Sequence, residues 1–152
     1  MTRALPLLLI LSVGCGASAV EAARDTLVTA AHAAVQADHL FADAYEIAAN
    51  AARDSSSTQA EKDQKTTPWI KAADEFERYH AAAIAALVAA EVALDDFERT
   101  GEAGCWDEAL ACAAATLRDM AAVLEERGLK IPAALAKVLT LSEGLTCAED
   151  LK

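Results

Sequence analysis

Residues 69–94 read WIKAADEFERYHAAAIAALVAAEVAL, and this stretch decides the fold. It lacks glycine and proline, and it is rich in alanine, which is the best helix former and a poor strand former. Residues at helical spacing form one mainly apolar stripe: Trp69, Ala73, Phe76, His80, Ala83, Ile84, Leu87, Ala90 and Leu94. The pattern predicts a long amphipathic helix with Thr67 as N-cap, Pro68 at the first helical position and Gly101 as the stop.

The chain on either side of this stretch predicts three more helices. Residues 20–53 are amphipathic and free of glycine and proline, and residues 54–65 form a polar loop. A third helix is expected over about 104–128 and a fourth over 132–144. Residues 20–152 are therefore expected to form a single all-α domain, an antiparallel four-helix bundle built from a long Ala-rich helical hairpin and a shorter second hairpin.

The first 19 residues have the layout of a secretory signal peptide. A short positive segment ends at Arg3, an apolar run covers residues 4–13, and small residues follow to Ala19. The apolar run is shorter than the roughly 20 residues that a membrane-spanning helix needs. Ala19 completes an Ala-x-Ala cleavage site, which predicts a protein that is secreted without an anchor.

A second cleavage site competes with the first. Residues 11–15, LSVGC, resemble a bacterial lipobox, in which the final cysteine is lipidated and becomes the first residue of the mature protein. Gly14 and Cys15 fit this motif, whereas Ser12 replaces the usual aliphatic residue. Lipidation of Cys15 predicts an outer-membrane lipoprotein facing the periplasm or the surface, anchored by several acyl chains. Cleavage after Ala19 predicts a periplasmic or secreted protein instead.

The charge balance disfavours two classes of partner. The chain has 13 Lys and Arg against 24 Asp and Glu, a formal net charge of -11. Such a surface repels phosphate backbones and anionic lipid headgroups, so we expect no nucleic-acid partner and no electrostatic adhesion to membranes.

Three cysteines follow the signal peptide: Cys105, Cys112 and Cys147. Disulfides are expected in an exported protein. Cys105 and Cys112 are seven residues apart on one predicted helix, about 10 Å along its axis, which is too far for a mutual bond. Cys147 is therefore expected to pair with Cys112 or, alternatively, with Cys105, since the chain after the fourth helix can reach both.

Three polar residues interrupt the apolar stripes of the first two helices: Asp38 on the first, and His80 and Glu91 on the second. With a loop centred near residue 60, Asp38 lies opposite about position 82, so Asp38 and His80 are predicted to meet as a buried polar pair that fixes helix register. Glu77 and His80 also match the Glu-x-x-His spacing of di-iron carboxylate bundles. Such a centre needs two of these pairs and the chain offers one, so no metal site is predicted, with Glu77, His80 and His39 as weak candidates.

Motifs for catalysis are missing from the sequence. It contains no Gly-rich phosphate loop, no Gly-x-Ser-x-Gly elbow and no His-Glu-x-x-His. We therefore expect no enzyme and no cofactor, but a small exported envelope protein that works by non-enzymatic contact with another envelope protein. The alternative hypothesis is a periplasmic helical bundle that binds a metal or a small ligand.

Overall fold

The computed structural model describes residues 17–101, 106–142 and 147. About nine-tenths of these residues are helical and none of them forms a strand, so the predicted all-α class is confirmed. The part described contains four helices: α1 (Ala17–Ser55), α2 (Gln59–Thr100), α3 (Trp106–Glu126) and α4 (Ala133–Leu141).

The start of α2 differs from the prediction. Thr67 was expected to be the N-cap, but α2 already begins at Gln59, and its N-cap is Thr58. The Thr58 hydroxyl accepts a hydrogen bond from the Glu61 amide, and the Glu61 carboxylate accepts from the amides of Ser57 and Thr58. This capping box satisfies amides that a helix start leaves unpaired, and the bonds from Ser57 and Thr58 lower the pKa of Glu61.

Pro68 consequently lies inside α2 rather than at its first position. A proline there removes one backbone hydrogen bond and crowds the preceding turn. The residue is exposed, so the freed carbonyl groups of that turn can be satisfied by water. The loop between α1 and α2 is only residues 56–58, much shorter than the predicted 54–65.

Glycines end two of the helices as predicted. Gly101 has φ of 72° and donates its amide hydrogen to the Phe97 carbonyl. After α3, the Leu129 amide donates to the Leu124 carbonyl, and Gly128, with φ of 71°, donates to Glu125. This is a Schellman motif, which needs a left-handed residue that glycine adopts without a Cβ penalty.

The fourth helix is shorter than predicted. Pro132 precedes its first residue as the N-cap, and the helix runs over Ala133–Leu141. The expected stop at residue 144 lies outside the described residues.

Buried side chains from all four helices form one hydrophobic cluster. Helix α2 contacts α1 and α3, while α4 contacts α1 and α3. Phe41 of α1 and Phe76 of α2 stack with ring centroids 4.5 Å apart. Much of the remaining core is fully buried alanine, which lets helix backbones approach closely: Ala30, Ala33, Ala34, Ala37, Ala83, Ala90 and Ala113.

The signal peptide and its cleavage sites fall mostly outside the described residues. Residues 1–16, including Cys15, are not described, and residues 17–19 belong to α1. None of the four helices is both long enough and apolar enough to cross a membrane.

Candidate functional site

Among the seven large aliphatic side chains of α1 and α2 that are exposed to solvent, five lie within residues 28–35 and 84–92. They are Val28 and Val35 on α1, and Ile84, Val88 and Val92 on α2. Within each helix they are spaced by four or seven residues, a spacing that places side chains on one stripe. We call this group the outer apolar face.

Two polar contacts join α1 to α2 on either side of this group. Nη2 of Arg24 lies 2.5 Å from Asp95 and 2.5 Å from Glu98, and these carboxylates raise the pKa of the guanidinium, Glu98 having the larger effect. Further along the helices, Nδ1 of His80 lies 3.8 Å from Oδ1 of Asp38. The two contacts define which parts of α1 and α2 lie side by side.

The outer apolar face lies between those two contacts. Val28 and Val35 lie about one helical turn inside the two contact residues of α1. Ile84 and Val92 lie about one turn inside the contact residues of α2. The exposed aliphatic side chains of the two helices therefore lie along the same stretch of the α1–α2 pair, between two polar contacts.

The predicted pair of Asp38 and His80 is brought together in the structure, but it is less buried than expected. The side chains are 47% and 27% exposed, and their 3.8 Å separation is longer than a hydrogen bond. His80 also faces the ring of Phe76, 6.5 Å away between centroids. Nε2 of His80 is buried and has no hydrogen-bond partner among the described residues. Exposed polar contacts of this kind contribute little to stability; that this one fixes helix register stays a prediction.

The weak metal candidates do not form a cluster. Glu77 and His39 are exposed, while His80 is half-buried. Across the residues that the structure describes, no three His, Cys, Asp or Glu side chains are grouped so that they could hold a metal ion.

The sulfur atoms of Cys112 and Cys147 form a disulfide, with Cα atoms 4.4 Å apart. Cys112 is buried in α3 and Cys147 lies beyond α4. The guanidinium of Arg118 donates to the Ser142 carbonyl at 2.8 Å, which holds the end of α4 against α3 and brings the following chain within reach. Of the two pairings left open by the sequence, this is the one the structure contains; Cys105 lies outside the described residues.

A half-open cavity of about 530 Å³ adjoins this disulfide, between α2 and α3. Its walls are mainly alanine, with Tyr79, Thr116 and Asp119 as the polar side chains. The cavity can accept an apolar group, but it has few hydrogen-bonding groups that would orient one.

The outer apolar face was missed by the sequence analysis. Ile84 was assigned to the core stripe of α2, but it is 37% exposed because α1 and α3 cover other sides of the helix. Glu21, Val28 and Val35 recur every seven residues and form a second stripe on α1. This spacing is the sequence signal that could have predicted the α1 part of the face.

Comparison with protein-family models, with curated proteins and with solved structures finds nothing that matches this chain.

Proposed function

We propose that this chain is a small exported envelope protein, anchored by lipid at Cys15, that works by non-enzymatic contact with another protein. The outer apolar face carries the proposal of contact, because contiguous exposed aliphatic side chains with a polar rim mark interaction surfaces. The lipobox-like residues 11–15 carry the proposal of an anchor, and a bacterial outer membrane facing the periplasm or the surface is the corresponding location.

The bundle that presents this face is proposed to be antiparallel, with a long hairpin of α1 and α2 and a shorter one of α3 and α4. Support comes from the contacts between the long helices. Arg24 contacts Asp95, Asp38 approaches His80, and Phe41 stacks on Phe76. As the residue number on α1 rises, the residue number of its contact on α2 falls. The chain direction of α2 is then opposite to that of α1.

The contact hypothesis is tested by the size of the native assembly. The protein would be extracted in mild detergent from the organism that produces it, and its mass compared for wild type, Val88→Asp and Ile47→Asp. Ile47 is a matched control because it is also a large exposed aliphatic residue of the same helix pair, outside the outer apolar face. We expect wild type and Ile47→Asp to run as a larger assembly and Val88→Asp as a monomer; a monomeric wild type would contradict the hypothesis.

The anchor is tested by the intact mass of the unreduced protein from the same source. A mass that begins at Cys15 and includes acyl chains supports the lipoprotein. A mass that begins at Val20 without lipid would overturn the anchor and leave a secreted contact protein. A mass that includes Met1 would overturn cleavage at either site.

A second function is favoured by the cavity beside the disulfide. Its volume of about 530 Å³ and its alanine walls suit a small apolar ligand bound between α2 and α3. An environment-sensitive apolar dye should bind wild type and lose affinity in Ala86→Leu, which narrows the cavity, whereas equal binding would contradict the site. Metal binding, the other form of this hypothesis, predicts a raised melting temperature with zinc or copper.

A further inference from the structure

The middle of α2 has apolar residues on nearly all of its sides, but neighbouring helices cover only some of those sides. Residues 81–94 contain a single charged side chain, Glu91. A helix that is apolar all round is normally buried all round. Within the described part of the chain, α1 and α3 cover two sides, and Val88 and Val92 remain more than half exposed. A further element is therefore expected to lie against this helix.

The shape of the outer apolar face suits an α-helix. Its aliphatic side chains are exposed along two packed helices, and Ile84, Val88 and Val92 extend over about 12 Å of α2 at 1.5 Å per residue. Ala81, seven residues before Val88, is exposed on the same side and would let a third helix approach closely. Two to three turns of an amphipathic helix fill this length.

Carboxylates lie beside the face and beyond it: Glu91 lies between Val88 and Val92, while Glu77 and Glu21 lie beyond its two ends. Glu77 and Glu91 lie seven residues before and after Ile84, and Glu21 lies seven residues before Val28. All three are exposed, and none forms an ion pair with another described residue. The nearby guanidinium of Arg24 is already engaged by two carboxylates. The rim of the face is therefore acidic.

This charge pattern argues against a second copy of the chain as the occupant. Two copies facing each other through this surface would bring acidic rims together, and like charges in contact oppose association. The net charge of -11 adds to the repulsion. A partner with basic residues at matching positions gains attraction instead.

We infer that the outer apolar face binds a basic amphipathic helix of the partner protein. This inference rests on the proposed function and specifies its partner. The partner helix carries apolar residues at i, i+4, i+7 and i+11, with Lys or Arg at positions that reach Glu77 and Glu91. Glu77 and Glu91 are about 21 Å apart along α2, which sets the separation of the basic groups.

The test uses two synthetic helical peptides and the purified mature protein. Both peptides carry leucine at i, i+4, i+7 and i+11; one has lysines near both ends, and the other has glutamates at those positions. Binding is measured by fluorescence anisotropy at about 50 mM and about 500 mM NaCl. The higher salt concentration shortens the range of electrostatic attraction severalfold. We expect the lysine peptide to bind at least about tenfold more tightly than the glutamate peptide at low salt, and to weaken at high salt.

Two pairs of variants separate the apolar and the charged contributions. Val28→Ser/Val88→Ser should weaken binding of the lysine peptide about tenfold, and its control Ile47→Ser should change it less than about twofold. Glu77→Gln/Glu91→Gln should weaken it about fivefold. The control Glu125→Gln/Glu126→Gln removes the same charge from exposed positions of α3 and should have little effect.

Each contrary outcome overturns a defined part of the inference. Equal affinity for the two peptides would overturn the basic character of the partner. Absence of binding by the lysine peptide, or equal losses in variants and controls, would overturn helix docking on this face. In either case the contact function survives if Val88→Asp still dissociates the native assembly, and it falls with the inference if no native assembly exists.

Discussion

The disulfide between Cys112 and Cys147 closes a loop across 35 residues, and removing it has a calculable effect on stability. A crosslink stabilises mainly by lowering the entropy of the unfolded chain, and a loop of this length contributes about 4 kcal/mol to the free energy of unfolding. Cys147→Ser is the cleaner perturbation, because Cys147 is half-buried whereas Cys112 lies in the core of α3. We expect the variant to lose about 4 kcal/mol.

Equilibrium unfolding in urea, followed by helical circular dichroism, measures this loss. With a slope of about 2 kcal/mol per molar urea, the midpoint should fall by about 2 M. Reducing the wild-type protein should lower its midpoint by a similar amount, and reduction should leave Cys147→Ser unchanged.

The control is Cys105→Ser, which tests the alternative pairing directly. Since the structure pairs Cys147 with Cys112, loss of the third thiol should change stability by less than about 0.5 kcal/mol. A midpoint shift in Cys105→Ser as large as that in Cys147→Ser would refute the pairing. A Cys147→Ser variant as stable as wild type would refute the entropic estimate.

Other substitutions test the core and the helix ends, each by the same urea titration. Phe76→Ala removes a ring that is 1% exposed and stacked on Phe41, and should cost about 3–5 kcal/mol; a loss below 1 kcal/mol would contradict its burial. Thr58→Ala should cost about 1 kcal/mol by removing the N-cap of α2. Because the pKa of Glu61 is lowered in the folded protein, Glu61→Gln should be less stable than wild type at pH 7, and the difference should vanish as pH falls well below 4.5. Gly128→Ala forces a Cβ into a backbone with φ of 71° and should cost about 1 kcal/mol.

Local signals in the sequence predicted much of the fold. The helical periodicity and the glycine stops at Gly101 and Gly128 are confirmed, because they depend on interactions within a few residues. The predicted start of α2 was wrong because the sequence contains two residues suited to be its N-cap. Thr67 precedes a proline, but Thr58 has a glutamate three residues later, and a capping box satisfies more amides than a single cap.

The surface was harder to predict than the core, because exposure depends on which neighbours cover a helix. Periodicity alone does not distinguish Ile84, at the edge of a stripe and exposed, from Leu87, buried in its centre. Asp38 and His80 were predicted to meet from the hairpin register, and the structure brings them to 3.8 Å. Their degree of exposure followed from tertiary packing that no local pattern contains.

Site-specific photo-cross-linking tests the contact role of the outer apolar face most directly. A photoreactive amino acid such as benzoylphenylalanine would replace Val88 in one variant and Ile47 in another, both expressed in the organism that produces the protein. Both positions are exposed, so both variants should fold. We predict a discrete protein adduct from position 88 and none from position 47. Failure to form an adduct at position 88, or equal adducts at both positions, would contradict the account.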